Sequence, residues 1–232
     1  MEFKTFDELI KHVQSNSKKK RVAVAAAHDS HALEAVILAD KDNIATPVLV
    51  GDKKVIQEIL VELGVDADKY EIYETHSDKE AAEKTIELIK EGKADFIMKG
   101  KLQTADLLRA VVNKEKGLSK GKVMSHIAMH EVPAYHKLLA VTDGGMMMYP
   151  NLEEKKQIIE NAVEVFNNIG YPCPKVAVLA AVENVNPKMP ETVDADLLKK
   201  MNQAGEIKNC IIEGPMSYDL AWSKESAEIK GY

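Results

Sequence analysis

The sequence lacks a basic excess. Its 37 aspartates and glutamates outnumber 31 lysines and arginines, a formal net charge of −6, so it has no electrostatic footprint for nucleic acid. Arginine is nearly absent: Arg21 and Arg109 stand alone, and lysine serves every other cationic position. No uninterrupted apolar run reaches the roughly 18–20 residues that span a bilayer. The opening MEFKTFDELIKHVQ is amphipathic and carries early acids, unlike a secretory signal. Only two cysteines occur, Cys173 and Cys210. They match no zinc spacing and make a weak disulfide framework, so they read as small buried apolar residues of a reduced, cytoplasmic protein. There is no G-x-S-x-G elbow for a nucleophilic serine and no P-loop lysine after a glycine turn.

What is present is an ordinary globular composition, 45% hydrophobic and 29% charged over 232 residues, enough for one large domain or two small ones. Apolar β-rich runs alternate with amphipathic helices. Thr5 and Glu8 suggest a capping box for a first helix, with Phe6, Leu9, Ile10 and Val13 as its core stripe. Lys18 to Arg21 read as a solvated lead-in to the strand RVAVAAA. TPVLVGD, YEIYE and ADFIMKG follow as strands, each separated by a helix, the spacing of parallel βαβ units. Further on, KVMSHIAMH, KLLAVTD, KVAVLAAV and NCIIEGP read as strands. Asn151 with Glu154 opens a long helix that Gly170 closes, and a second helix is expected from Asp194 to Met201. The polar stretch NKEKGLSKGK is the natural boundary, dividing the chain into 1–120 and 121–232. The expected class is α/β: two parallel-sheet domains with a cleft between them, and ligands bound beyond the carboxyl ends of the strands.

Strand ends are therefore where chemistry is sought. In MKGKLQTADLLR a strand ends at Lys99, Gly100 permits a tight turn, and Thr104 is placed to cap the next helix. Free N–H groups there make an anion site, with Lys99 and Lys101 adding charge and Arg109 a planar fork suited to phosphate. Ser125, in MSHIAMH with His126, is a candidate donor. Asp143 precedes Gly144-Gly145, where a carboxylate can face a cleft or simply form a turn. Met146, Met147 and Met148 suit adaptable packing or an acyl pocket. Glu183, Asn184, Asn186 and Lys188 follow KVAVLAAV on a loop able to supply amide donors, and equally suited to plain turn chemistry. His28, Asp29 and His31 follow the first strand, where capping or surface roles are favoured over a metal. No metal is expected.

MKGKLQTADLLRAVVNKEKGL, MSHIA, LLAVTDGG…YPNLEEK, VAVLAAVENVNPKMPETVDADLLKKM and EGPMSYDLAWSKESAEIKG together resemble the phosphate acyltransferase family, and its phosphate butyryltransferase branch above the acetyl enzymes. The resemblance runs over essentially the whole chain from about Arg21. It implies transfer of a butyryl or branched short-chain acyl group between coenzyme A and inorganic phosphate. It also implies two isocitrate-dehydrogenase-like α/β domains with the active site in the cleft, and a homodimer or larger assembly. Coenzyme A would be a substrate, with no covalently bound cofactor. On this reading Lys101, Thr104 and Arg109 bind phosphate or acyl phosphate, and Ser125 and Asn186 donate to phosphate or the developing oxyanion. Arg109, Ser125 and Asn186 are the expected catalytic residues. Lys99, Gly100, Lys101, Thr104, Asp143 and Lys188 are the expected substrate-binding residues. Family members usually continue past the point matching Gly231 with a Ser-Arg pair and an acidic residue, whereas this sequence stops at Tyr232, so the second domain is expected to lack its return segment. Family members also often carry a polar residue where Met146 to Met148 stand. A catalytically impaired CoA- or phosphate-binding relative, or a fragment, is the alternative. An isocitrate-type decarboxylating dehydrogenase would need more than two arginines.

Overall fold

The computed structural model describes residues 3–15 and 18–231. The chain divides into two compact units: residues from Leu9 to Gly121, and the N-terminal residues through Glu8 together with the chain from Lys122 onward. Tyr232 lies outside the described residues.

In the first unit, β1 (Lys20–Ala25), β2 (Ala45–Gly51), β3 (Glu71–Glu74) and β4 (Phe96–Lys99) form one sheet in the order β3-β2-β1-β4, with every pairing parallel. Its helices are α2 (Ser30–Lys41), α3 (Lys53–Glu62), α4 (Asp78–Lys90) and α5 (Thr104–Val111). The alternation of side chains along a strand explains the two cores. Val22, Val24 and Leu49 point to one face, where Leu33, Val36, Ile37, Ile56 and Leu60 cover them. Ala25, Val48 and Val50 point to the other, against Ala81, Ala82, Leu88, Leu102 and Leu107. A central strand buried on both faces reads as a near-continuous apolar run, as the buried stretch Val22 to Ala27 does after the charged Lys20 and Arg21. Asp29, Asp52 and Ser77 cap α2, α3 and α4 by accepting from Ala32, Val55 and Glu80 N–H groups, each worth about 1 kcal/mol. The order 3-2-1-4 places the reversal of winding between β1 and β4, the point where such sheets hold ligands.

The basic lead-in is not simply solvated. Lys19 pairs with Asp40 at 2.6 Å, Lys20 with Asp95 at 3.0 Å and Arg21 with Glu71 at 2.5 Å. Acids on neighbouring segments meet these cations, which spacing along one segment could not reveal.

The second unit holds β5 (Ile127–His130), β6 (Leu139–Thr142), α6 (Leu152–Asn168), β7 (Lys175–Leu179), α7 (Pro190–Gln203), β8 (Ile211–Met216), α8 (Tyr218–Trp222) and α9 (Lys224–Lys230). β7 and β8 pair in parallel, whereas β5 and β6 pair antiparallel. Ile159 and Val163 of α6 pack with Leu198 of α7, Ile207, Cys210 and Ile212. Asn202 fixes the α7–β8 connection: its amide donates to the carbonyls of Ile207 and Cys210, and its oxygen accepts from Ile212 N–H at 3.1 Å. The N-terminal residues dock here through Phe3, whose N–H donates to the Tyr171 hydroxyl at 2.7 Å.

Four expectations change. Helix α1 (Phe6–Gln14) buries none of its residues, so its apolar stripe is not core. Cys173 is exposed, and only Cys210 is buried. Helix α7 starts at Pro190 rather than Asp194, because proline at the first helical position satisfies itself and opens the helix. Strand β8 runs on through Pro215 to Met216 instead of ending there, since Ala180 N–H still pairs with Met216 O at 2.9 Å.

Candidate active site

The β4–α5 loop is shaped by its glycine. Gly100 N–H donates to Ala25 O at 2.8 Å and Lys101 N–H to Ala26 O at 2.9 Å, so the loop folds over the end of β1. A Cβ on Gly100 would lie 2.3 Å from Ala26 O, which no side chain tolerates. Lys99 turns its ammonium inward, donating to the carbonyls of Gly100 at 3.2 Å and Leu102 at 3.0 Å. It holds the loop closed, while Lys101 makes no hydrogen bond or ion pair with a described residue and points its charge to solvent.

The cap of α5 differs from expectation. Gln103 occupies the cap position without a side-chain bond to the helix, and Thr104 is the first helical residue. The first turn therefore keeps N–H groups without a side-chain acceptor, at the end of the helix that carries partial positive charge. Arg109 lies in the last turn of α5, exposed, bonded to Asp106 at 2.7 Å. Asp106 holds this guanidinium as well as lying near the positive end of the helix.

After β1, Ala26 takes a left-handed conformation at φ 55°, and Asp29 caps α2. The Nδ1 of His28 is buried without a partner, facing the Cα of Gly51, where an added Cβ would come within 2.8 Å. Among the described residues, no three His, Cys, Asp or Glu side chains are placed to hold a metal ion.

In the second unit, β5 and β6 bring Ser125, His126, Asp143 and Gly144 together. The register pairs Ile127 with Thr142, and Thr142 Oγ1 donates to His126 O at 2.7 Å. Ser125 Oγ accepts from Asn161 Nδ2 at 3.0 Å, and the same amide donates to Val123 O. Asn161 is a residue the sequence does not single out: half-buried on α6, three residues after the buried Ile158 and on the same side of the helix, it reaches these partners only through the fold. Asp143 is a turn former here. Its carboxylate accepts from the N–H groups of Gly145, Met146 and Met147 at 2.9–3.1 Å. Burial pushes this carboxyl up, but those N–H groups, with the His126 backbone, outweigh it and hold it below the usual carboxylate range. The methionine side chains follow this turn, with Met148 exposed.

The loop after β7 is tied by a buried threonine. Asn186 N–H donates to Thr192 Oγ1 at 2.9 Å, and that hydroxyl donates back to the carbonyls of Asn186 and Met189. The side-chain oxygen of Asn186 accepts from Lys188 N–H at 3.0 Å. This leaves the NH₂ group of the half-buried Asn186 without a hydrogen-bond partner among the described residues, with Lys188 exposed two residues on. Glu183 takes a different part: it accepts from Ser217 Oγ and from Lys230 Nζ at 2.7 Å, joining α9 to this loop. Those two bonds hold its carboxyl below the usual range.

The structure thus gathers Lys99, Gly100, Lys101 and Thr104 on one loop. It gathers Ser125 and Asp143 at one strand pair, and Asn186 with Lys188 on another loop.

A family model described as phosphate acetyl/butaryl transferase matches residues 5–90 and 79–232. The phosphate butyryltransferase of Clostridium acetobutylicum is 47% identical over 98% of this chain and 75% of its own length. The phosphate acetyltransferase of Thermotoga maritima is 41% identical over 94% of this chain and 74% of its own. Among solved structures, a branched-chain phosphotransacylase from Enterococcus faecalis superposes with a TM-score of 0.75 at 29% identity, covering 92% of this chain and 74% of that one. A phosphotransacetylase from Staphylococcus aureus gives a TM-score of 0.74 at 16% identity, over 97% of this chain and 77% of that one, which concerns the fold alone. Fold and matches define an α/β acyltransferase. The chain belongs to the phosphate acetyl/butyryl transferase family.

Proposed function

We propose that this enzyme moves a butyryl or branched short-chain acyl group between coenzyme A and inorganic phosphate, acyl-CoA + phosphate = acyl phosphate + CoA. The observation that carries the reading is the 47% identity with a phosphate butyryltransferase over 98% of the chain. The branched-chain phosphotransacylase with TM-score 0.75 supports the acyl class.

The chemistry needs an anion site, a donor for a developing oxyanion and a path for one proton. Lys101 and the first N–H groups of α5 bind phosphate, on the loop that Lys99 and Gly100 shape and Thr104 opens. Arg109 steadies the acyl phosphate, trading Asp106 for the incoming anion. Ser125, oriented by Asn161, and the Asn186 amide donate to phosphate or to the oxyanion, and Lys188 adds charge for the anionic parts of coenzyme A. Asp143 serves the substrate through the turn it organises. Phosphate attacks the thioester carbon directly, with no covalent enzyme intermediate. Coenzyme A is a substrate, no covalently bound cofactor takes part, and the enzyme works in the cytoplasm as a homodimer or larger assembly. Among the described residues, no helix is long and apolar enough to cross a membrane.

The test is release of free CoA from butyryl-CoA, followed with a thiol reagent, with and without phosphate, beside acetyl-CoA. The reading expects phosphate-dependent release, faster with the butyryl substrate, and its loss in Arg109→Ala. Release that ignores phosphate, or none from folded protein, overturns it.

A further inference from the structure

The loop after β7 carries Asn186 and Lys188, and it is held at two points. Thr192 ties Asn186 through its hydroxyl. Three residues before Asn186, Glu183 is held from outside the loop. Ser217, just before α8, donates its hydroxyl to Glu183 Oε1. Lys230, in the last turn of α9, donates to the same oxygen at 2.7 Å. It also donates to Ser217 Oγ at 2.9 Å and lies 3.2 Å from an Asp219 carboxylate oxygen.

An ammonium has three N–H donors and no acceptor. Lys230 has a partner for each of them, and the partners belong to the loop after β7 and to the start of α8. The charges stabilise one another. Bonds from Lys230 and Ser217 hold the Glu183 carboxyl below its usual range, and Ser217 with Lys230 does the same for Asp219. Glu183, and after it Asp219, pushes the ammonium up. All three groups therefore stay charged around neutral pH. Helix α9 buries none of its residues, so these bonds, more than apolar packing, set where Lys230 sits. The side chains of Lys230 and Glu183 keep 38% and 29% of their surface exposed. Ion pairs so placed add little to global stability; what this one governs is the local geometry of the loop.

We propose that Lys230 is a positioning residue of the acyl transfer: by gripping Glu183 it keeps the loop of Asn186 and Lys188 in the arrangement that receives coenzyme A. This rests on the acyltransferase reading above, in which Lys188 meets the anionic parts of that substrate. A loop fixed in advance spares the substrate the cost of ordering it. When only a fraction of the molecules hold the loop ready, apparent affinity falls by that fraction, while the saturated complex reacts as before. Lys230 thus acts on the KM for acyl-CoA and little on kcat.

The test measures CoA release from butyryl-CoA and phosphate by wild type, Lys230→Ala, Lys230→Arg, Glu183→Ala and the Lys230→Ala/Glu183→Ala double variant. The proposal expects Lys230→Ala to raise the KM for butyryl-CoA about three- to tenfold. Its kcat and its KM for phosphate should stay within about twofold, and its melting temperature within about 2 °C of wild type. Lys230→Arg should recover most of the loss, since a guanidinium donates to the same oxygens. The double variant should be no worse than the worse single one, because both changes break the same contact. An unchanged KM for butyryl-CoA, an equal rise in both KM values, a loss confined to kcat, additive losses or no recovery with arginine overturns it. So does a fall of several degrees in melting temperature shared by Lys230→Ala and Glu183→Ala, which would make the contact a general brace. Active wild type beside kinetically unaltered variants would sink this proposal alone. An inactive wild type would sink the acyltransferase reading, and this one with it.

Discussion

Asp40 shows how one acidic side chain can tie several segments. It accepts from Lys19 at 2.6 Å, Lys69 at 2.9 Å and the Tyr70 hydroxyl at 2.8 Å, joining the lead-in to β1, the end of α2 and the lead-in to β3. Burial pushes its carboxyl up, but the three donors prevail and bring it down from 3.8 to about 2. A depressed folded value stabilises the protein above the unfolded value and stops doing so as the pH falls through the folded one. Asp40→Asn should therefore cost about 2 kcal/mol near neutral pH. The gap between variant and wild type should close as the pH drops from about 4 towards 2, read from urea midpoints across that range. A pH-independent gap would mean that packing, not charge, sets the cost. At Gly100 the argument is steric. Gly100→Ala forces a Cβ to within 2.3 Å of Ala26 O, so the loop must move. The expected outcome is a loss of about 1–3 kcal/mol together with a raised KM for phosphate. Unchanged kinetics would detach this loop from phosphate binding.

At the scale of elements, α6 carries the clearest local signal. Asn151 accepts from Glu154 N–H, and the Glu154 carboxylate accepts from Asn151 N–H, a complete capping box. Asn151→Ala should lower stability by about 1 kcal/mol, measurable by chemical denaturation, without altering substrate affinities. For α5, whose first turn has no side-chain cap, Lys101→Ala should raise the KM for phosphate about tenfold or more, the usual worth of a hydrogen bond to a charged group. Its KM for butyryl-CoA should change much less. An equal rise in both would place Lys101 elsewhere on the substrate.

The same elements show what was legible beforehand. β1 and β2 could be read because a parallel strand covered on both faces carries a continuous buried apolar stretch, Val22 to Ala25 in one and Val48 to Val50 in the other. The helix from Asn151 could be read because its cap and its period agree. α8 and α9 are five and seven residues long, too short for periodicity to register. The start of α7 was hidden because Pro190 looks like loop chemistry when it follows Asn-Pro-Lys-Met. In the site, the glycine turn at Lys99 to Thr104 was readable, since Gly100 and its flanking lysines are local. The Asn161 contact to Ser125 and the Asp106 hold on Arg109 were not, because they depend on which side chains the fold brings together.

At the scale of the whole molecule, two α/β units each present loops at strand ends, and the family match runs through both. The account stands on acyl transfer from sulfur to phosphate oxygen. The most direct measurement is to incubate the purified 232-residue chain with butyryl-CoA and phosphate. Butyryl phosphate would be trapped as its hydroxamate, and free thiol counted in the same sample. The account predicts one acyl phosphate for each CoA released, both absent without phosphate. Free CoA with no acyl phosphate, or neither product from folded protein, would contradict it.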